Sequence, residues 1–375
     1  MSKPNLFWPV YNNLEKEVLS LAHDIHFCDD QLAVYSVKIA ELLLRCAIEI
    51  ESIAKSLYEQ EGGNMQPKDA NGNDRYLHFD FDCLKWLDQN WCLGKKVVLL
   101  SSSNMFFSKD ENRILHPLKN AHKGEAYWQK AYQAVKHNRA DDIRRATVRN
   151  LIGAMAALYL LNVYYRNETF DMDSKTALSE KGENMTLDSS LFSVKRLWNP
   201  HTKQFNLVES SGNDERMNDA AYLVCHKDET VLKIREEKMA RDERVRQMLL
   251  NSTEFQEFSL EDDNSQRSKS LEDMISHFGI WIIRKKLSSY STKEEKLKAI
   301  ASFPEYKAFI QFNPKSINDG SDDEILGKGV VSIGIWYYMR MYFDSNSSVL
   351  DRLYNDSRVQ IVLNKGQEFS TGKTL

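Results

Sequence analysis

A short basic stretch in the first half of the chain carries the residue types best suited to chemistry. Imidazole exchanges protons near neutral pH, and guanidinium groups bind phosphate oxygens in a bidentate manner. These groups suit the binding of an RNA backbone or its acid–base cleavage, and such cleavage requires no metal or other cofactor. His137 and Arg139 are the candidate catalytic residues. The candidate phosphate-binding residues around them are Lys136, Asn138, Arg144 and Arg145.

Two helices are expected to position this stretch. Trp128 and Tyr132 are four residues apart, which predicts one apolar helix face ending at the basic residues. Asp141 and Asp142 are expected to cap the next helix and to complement its dipole. The run from Leu151 to Leu161 is apolar almost all round, so we expect a buried helix. It is shorter than the roughly 20 residues needed to cross a bilayer.

A structural role for the basic stretch is the alternative. Cations at the end of a helix stabilise the helix dipole, and a polar turn must separate two helices.

A long helix is predicted before this pair, from about Gln31 to Glu61. Apolar residues recur there at steps of three and four, and Gly62 is expected to end the helix. Glu49 lies beside the apolar stripe, where Arg45 one turn earlier could pair with it. That pair is either part of the core scaffold or a support for the site.

The remaining pattern predicts a mainly α protein in three parts. Residues 1–167 form a helical bundle with a small β insertion, 168–262 a mixed α+β segment, and 263–375 a helical region. The insertion is expected to pair a strand at 96–101 with residues 104–107 as a hairpin. Further predicted elements are helices at 14–27, 79–91, 231–250 and 271–278, a hairpin of 191–197 with 205–209, a strand at 221–225 and a buried segment at 330–341.

Composition and motifs exclude several classes. Fifty basic and fifty-four acidic residues give a net charge of −4, which does not indicate a strongly basic nucleic-acid binder. The five cysteines form no C-x-x-C pair, and this favours reduced thiols in the cytoplasm. We expect no signal peptide and no membrane segment. The chain has no glycine-rich nucleotide loop, no G-x-S-x-G elbow and no H-E-x-x-H motif.

A cluster of His23, His26, Cys28 and Asp29 lies near the end of the first predicted helix. Histidines at i and i+3 share a helix face, but a metal site usually needs a second cluster of ligands. We therefore interpret these residues as a cap and connector to the next helix, and predict no metal.

The layout of residues 10–166 resembles the HEPN superfamily. The similarity lies in E-L-L-L-R-x-x-x-E-x-x-x-x-x-K-x-L-Y at 41–58, in A-Y-x-x-V-K-H-N-R at 131–139, and in the buried helix that follows. HEPN proteins are all-α and occur in toxin–antitoxin, abortive-infection and CRISPR-associated ribonucleases. Their catalytic motif is an arginine followed after four to six residues by a histidine. No such arginine precedes His137, and the literal match Arg196–His201 lies in a predicted hairpin.

This resemblance implies a bacterial protein of phage defence or stress response that binds or cleaves RNA, acting as a homodimer. If it cleaves, His137 would transfer the proton and Arg139 would position the phosphate. Arg45 and Glu49 would orient the site from the facing helix. The alternative is a non-catalytic interaction or scaffold protein, or one half of a toxin–antitoxin pair with a protein partner.

Overall fold

The computed structural model describes residues 5–173, 184–198, 218–261, 270–302, 348–354 and 358–365. Within these ranges the protein is mainly helical with a small mixed sheet, as predicted. By internal contacts the chain divides into two units, Met1–Lys227 with Ser357–Leu375, and Asp228–Asp356. This division differs from the predicted domain boundaries, because the boundary after 167 falls inside the first unit and that after 262 inside the second.

The helices of the first unit surround one buried helix. That helix, Val148–Arg166, is apolar on every side because it packs against three neighbours, so its predicted burial is confirmed. The helices of this unit are α1 (Phe7–Asp24), α2 (Val37–Gln60), α3 (Lys85–Trp91), α4 (Asp110–Arg113), α5 (Tyr127–His137), α6 (Arg139–Asp142) and α7 (Val148–Arg166).

Local capping decides where the two long helices begin. α2 starts at Val37 and not near Gln31, because the hydroxyl of Ser36 accepts a hydrogen bond from the Ile39 amide at 3.1 Å. It ends before Gly62, whose φ of +81° favours glycine, as predicted.

The predicted capping of α7 by Asp141 and Asp142 is wrong. The chain turns twice more after these residues, and Thr147 in an extended conformation provides the cap. Its hydroxyl accepts a hydrogen bond from the Asn150 amide at 3.4 Å.

The sheet belongs to the first unit. Its strands are β1 (Val98–Leu100), β2 (Ile114–Leu115), β3 (Phe170–Asp173), β4 (Asn184–Met185), β5 (Phe192–Trp198), β6 (Tyr222–His226) and β7 (Arg358–Leu363). Among the described residues their order is β2-β1-β5-β6-β7-β3, with β4 beside β5. β5 and β6 run parallel, and every other pairing is antiparallel.

The strands predicted at 96–101, 191–197 and 221–225 are therefore confirmed, but one predicted pairing is wrong. Residues 104–107 do not form a hairpin with β1, whose neighbours are β2 and β5. The Phe106 amide instead donates to the Phe27 carbonyl at 2.8 Å. The predicted partner at 205–209 and the buried segment at 330–341 lie outside the described residues.

A buried carboxylate joins α1 to the start of β5. Glu15 is 5% exposed, and its Oε1 accepts hydrogen bonds from the hydroxyls of Tyr11 and Ser189 at 2.8 and 2.6 Å. The same oxygen also accepts from the amides of Ser190 and Leu191 at 3.1 and 3.2 Å. Because a buried carboxylate needs such partners, this contact fixes the helical bundle against the sheet.

The second unit is helical in its described part and has its own apolar cluster. Phe255 and Phe278 meet edge to face with ring centres 5.1 Å apart, and Ile275 is fully buried beside them. Its helices are α8 (Asp228–Leu250), α9 (Thr253–Glu261), α10 (Leu271–Leu287), α11 (Lys293–Ser302) and α12 (Ser348–Tyr354).

No helix in the described ranges combines the length and apolar character needed to cross a membrane.

Candidate functional site

The structure brings the predicted residues of the basic stretch together on one exposed corner. α5 ends at His137, α6 runs to Asp142, and the turn Ile143–Arg145 leads to α7. All the candidate side chains of this stretch are exposed to solvent. We name this surface the basic corner, and its residues are Lys136, His137, Asn138, Arg139, Arg144 and Arg145.

Two side chains at the end of α5 have local partners. The ammonium group of Lys136 lies 5.3 Å from the centre of the Tyr132 ring. Nδ2 of Asn138 donates a hydrogen bond to Asp141 at 2.7 Å. Both contacts are made within the corner, so they order it without burying its positive charge.

Two arginines form exposed ion pairs. Arg139 lies 3.5 Å from Glu41 of α2, and both side chains are about half exposed. Nε of Arg145 lies 2.9 Å from Asp142. Exposed pairs of this kind contribute roughly 0–1 kcal/mol, so a phosphate group can replace the carboxylate at little cost.

The side chains of His137 and Arg144 form neither a hydrogen bond nor an ion pair with any described residue. A free guanidinium group on the surface is available to an anion. A free imidazole, however, has no neighbour that fixes its orientation or its tautomer. The corner thus offers several exposed cations to a phosphate but a single imidazole, whereas acid–base cleavage uses one group that removes a proton and another that donates one.

Arg45 and Glu49, the predicted supports of the site, form no hydrogen bond or ion pair with the basic corner among the described residues. Arg45 pairs with Glu17 of α1 at 2.5 Å, and Lys38 binds the same carboxylate. Glu49 lies eight residues beyond Glu41, about 12 Å further along α2. Partial burial raises the pKa of Glu49, although the charge of Arg45 opposes this rise. The residue of α2 that reaches the corner is Glu41.

Three cavities lie elsewhere on the first unit, and none of the predicted site residues lines them. The largest, about 960 Å³, is bordered by Trp8, Arg166 and Asp188. The other two, of about 410 and 390 Å³, share a wall. We name them the Tyr127 cavity and the His122 cavity, and their common wall consists of His116, Lys119 and Asn120.

In the Tyr127 cavity a polar chain fixes an arginine. Arg149 donates to Oδ1 of Asn112 at 3.0 Å, and Nδ2 of Asn112 donates to Asp29 at 2.6 Å. Asp29 also accepts from the amide and hydroxyl of Ser108 at 2.9 and 2.6 Å, and these bonds hold its pKa well below the usual range. Burial of the Tyr127 hydroxyl raises its pKa to about 12.

The His122 cavity contains a histidine beside a carboxylate. Nδ1 of His122 lies 3.1 Å from Oδ2 of Asp88, although the two are not aligned for a hydrogen bond. The other oxygen of Asp88 accepts from the Gly94 amide at 2.6 Å. Cys92 and Asn120 line the same cavity, and each has a positive φ, 55° and 59°.

A buried lysine lies next to this cavity. Lys96 is 1% exposed, and its ammonium nitrogen has no hydrogen-bond partner. Burial lowers its pKa to about 7, while electrostatic interactions with Cys92, Asp219 and Asp88 oppose this decrease. All three of these residues line the His122 cavity.

Asp29, one of the residues considered as a metal cluster, has a structural role. Asp29 connects the 3-10 turn Asp29–Gln31 to residues 108–112 through the bonds given above, which agrees with its interpretation as a connector. Across the described part of the chain, no three His, Cys, Asp or Glu side chains converge as metal ligands would. Arg196 lies buried in β5, and His201 lies outside the described residues.

No protein-family model, curated protein or solved structure matches this chain.

The residues of the two smaller cavities are absent from the sequence-based candidates. The sequence signal that could have found them is the concentration of ionisable side chains in residues 116–123, where two histidines and two lysines occur in H-P-L-K-N-A-H-K. The contribution of Asp88 and Arg149 depends on tertiary packing, which no local pattern shows.

Proposed function

We propose that this protein is a cytoplasmic, HEPN-like RNA-binding protein whose basic corner holds the phosphate backbone. The observation that carries the proposal is the concentration of exposed cations there, with Arg144 unpaired among the described residues. Arg139 and Arg145 have only exposed, weak partners. Local charge of this kind can bind RNA although the whole chain is slightly acidic.

The biological setting follows from the resemblance alone. HEPN-like proteins act in phage defence and stress response, so we propose that setting here, with a homodimer or a partner protein as the working assembly. A non-catalytic scaffold is the second candidate. It is supported by the same exposure, because a corner outside the three cavities also suits an acidic protein surface.

The direct test is fluorescence anisotropy with a labelled single-stranded RNA at about 100 mM salt. The double variant Arg144→Ala/Arg145→Ala should bind at least about tenfold more weakly, because each charge-assisted contact contributes roughly 1.5–3 kcal/mol. Lys68→Ala is the matched control, since Lys68 is an exposed cation on a loop away from the corner. Unchanged affinity in the double variant would refute the proposal and favour the scaffold.

Cleavage at the corner is a separate question, which His137→Ala answers. Purified protein is incubated with total tRNA and mRNA in EDTA, and the variant is compared with wild type. Because His137 is the single imidazole of the corner, we expect the variant to bind and process RNA as wild type does. Cleavage abolished by this substitution would place the catalytic site at the corner, with Arg139 holding the phosphate.

A further inference from the structure

We propose that the His122 cavity is a catalytic site that cleaves RNA through its 2′-hydroxyl group. His116 and His122 form the acid–base pair, and Lys119 binds the phosphate. All three side chains line one cavity of about 390 Å³, within the roughly 300–1,000 Å³ of ligand sites. This inference rests on the proposed RNA binding and assigns the chemistry to different residues from those of the basic corner.

His122 lies beside a carboxylate in the cavity wall. Its Nδ1 is buried against Asp88, which leaves Nε2 as the nitrogen able to exchange a proton with a ligand. Asp88 is itself fixed by the Gly94 amide. A carboxylate that orients an imidazole in this way is the usual support of a general acid or base, and such contacts often align fully only when substrate is bound.

The charges around the cavity favour a phosphate. Of its two carboxylates, Asp88 lies beside the imidazole of His122, and Asp219 lies 3.8 Å from Lys195. Lys95 and Lys119 form no ion pair with any described residue. A ligand with one negative charge would therefore meet positive groups without displacing an existing pair.

Two further observations mark this cavity as more than a packing defect. Lys96 is buried behind its wall without a hydrogen-bond partner, an arrangement that protein cores normally avoid. Asn120 in the shared wall has a left-handed backbone, which is uncommon outside glycine and concentrates at functional sites.

Residues near the start of α7 connect the basic corner with the Tyr127 cavity. The side-chain amide of Asn150 donates to the Arg145 carbonyl at 2.7 Å, and the adjacent Arg149 lines the Tyr127 cavity. That cavity shares His116 and Lys119 with the His122 cavity. Glu111 and Glu125 also line it and limit its positive charge.

The reaction balances without any other reactant. One imidazole removes the proton of the 2′-hydroxyl, and the 2′-oxygen attacks the adjacent phosphorus. The bond from phosphorus to the 5′-oxygen breaks, and the second imidazole donates its proton to that oxygen. The products are a 2′,3′-cyclic phosphate and a 5′-hydroxyl end, and Lys119 faces the negative charge on the non-bridging oxygens.

The test measures cleavage of a fluorescent RNA oligonucleotide by the full chain in EDTA, with mass spectrometry of the products. Wild type should give 2′,3′-cyclic phosphate ends and should leave the all-deoxy oligonucleotide intact. His116→Ala and His122→Ala should each lower kcat at least about 100-fold with RNA affinity within twofold of wild type. His23→Ala, which removes an exposed histidine away from the cavities, should cleave normally.

Lys119→Ala controls for loss of activity through misfolding, because Lys119 is exposed. It should raise KM or lower kcat while the unfolding temperature stays unchanged. Asp88 acts as a positioning residue. Asp88→Asn can still accept from the Gly94 amide, so it should lower kcat and leave KM unchanged.

The outcomes separate this inference from the proposed function. RNA bound tightly but not cleaved would overturn the inference alone, and so would cleavage retained by both His116→Ala and His122→Ala. Cleavage lost only in His137→Ala would also overturn it. Absence of any RNA binding would overturn the proposed function as well.

Discussion

Replacement of Lys96 by methionine should stabilise the first unit. Lys96 is almost completely buried just before β1, and its ammonium group has no hydrogen-bond partner. Burial lowers its pKa from 10.5 to about 7. Methionine has a similar length and flexibility and has no charge to desolvate, so it can occupy the same space.

The magnitude follows from the two pKa values. At 1.36 kcal/mol per pH unit, the difference between 10.5 and about 7 amounts to roughly 4–5 kcal/mol, of which about 4 kcal/mol applies at pH 7. Between pH 7 and 10.5 the unfolded chain binds a proton at Lys96 that the folded chain does not. The free energy of unfolding therefore rises with pH across this window, and below pH 7 the destabilisation is complete and constant.

Urea unfolding followed by tryptophan fluorescence at pH 6.5, 8 and 9.5 measures both effects. Lys96→Met should unfold at higher urea than wild type, with the largest gain at pH 6.5 and a smaller gain at pH 9.5. Lys95→Met, which changes an exposed neighbour, should leave the midpoint unchanged. Equal or lower stability of Lys96→Met at pH 6.5 would refute the reasoning, because it would mean that the ammonium group is paired or hydrated.

Three further perturbations have defined outcomes. Glu15→Ala should lower the free energy of unfolding by about 3 kcal/mol, because the Ser189 hydroxyl and the amides of Ser190 and Leu191 lose their acceptor. Urea unfolding measures this loss, and a loss below about 1 kcal/mol would contradict the prediction. Gly153→Ala should lower the free energy of unfolding by about 1–3 kcal/mol, because the new Cβ would lie 2.2 Å from the Tyr127 hydroxyl. An unchanged unfolding temperature would show that the Tyr127 ring moves freely. The hydrogen bonds that lower the pKa of Asp29 contribute stability above pH 3.8, and this stability is lost as pH falls through the folded pKa. In an acid titration, the free energy of unfolding of Asp29→Asn should therefore fall less steeply than that of wild type.

Periodicity predicted the helices well because burial follows it directly. The apolar run at 151–161 could only be a buried helix, and α7 is one. Helix starts were less predictable, because they depend on single side-chain bonds. Ser36 and Thr147 cap α2 and α7, whereas composition pointed to Gln31 and to the aspartates at 141 and 142.

Strand pairing was predicted least well, since it joins distant parts of the chain. β1 was identified from its apolar residues, but its partners come from 114–115 and 192–194, not from the adjacent residues 104–107. Local sequence favours the nearest partner, whereas the sheet is arranged by the shared core.

The candidate site was predictable only where its residues are contiguous. The basic corner follows from its sequence, because neighbours in a turn stay neighbours in space. The partner of Arg45 did not follow, since Glu17 comes from another helix. The same limit concealed the His122 cavity, in which Asp88 and His122 meet across α3 and the turn at 121–123.

The salt dependence of RNA binding tests the central claim most directly. For single-stranded RNA the slope of log K against log salt changes by about 0.7 for each phosphate contact. Arg144→Ala/Arg145→Ala should therefore reduce the slope by roughly 1.4 relative to wild type, while Lys68→Ala leaves it unchanged. Equal slopes for wild type and the double variant would contradict phosphate binding at the basic corner.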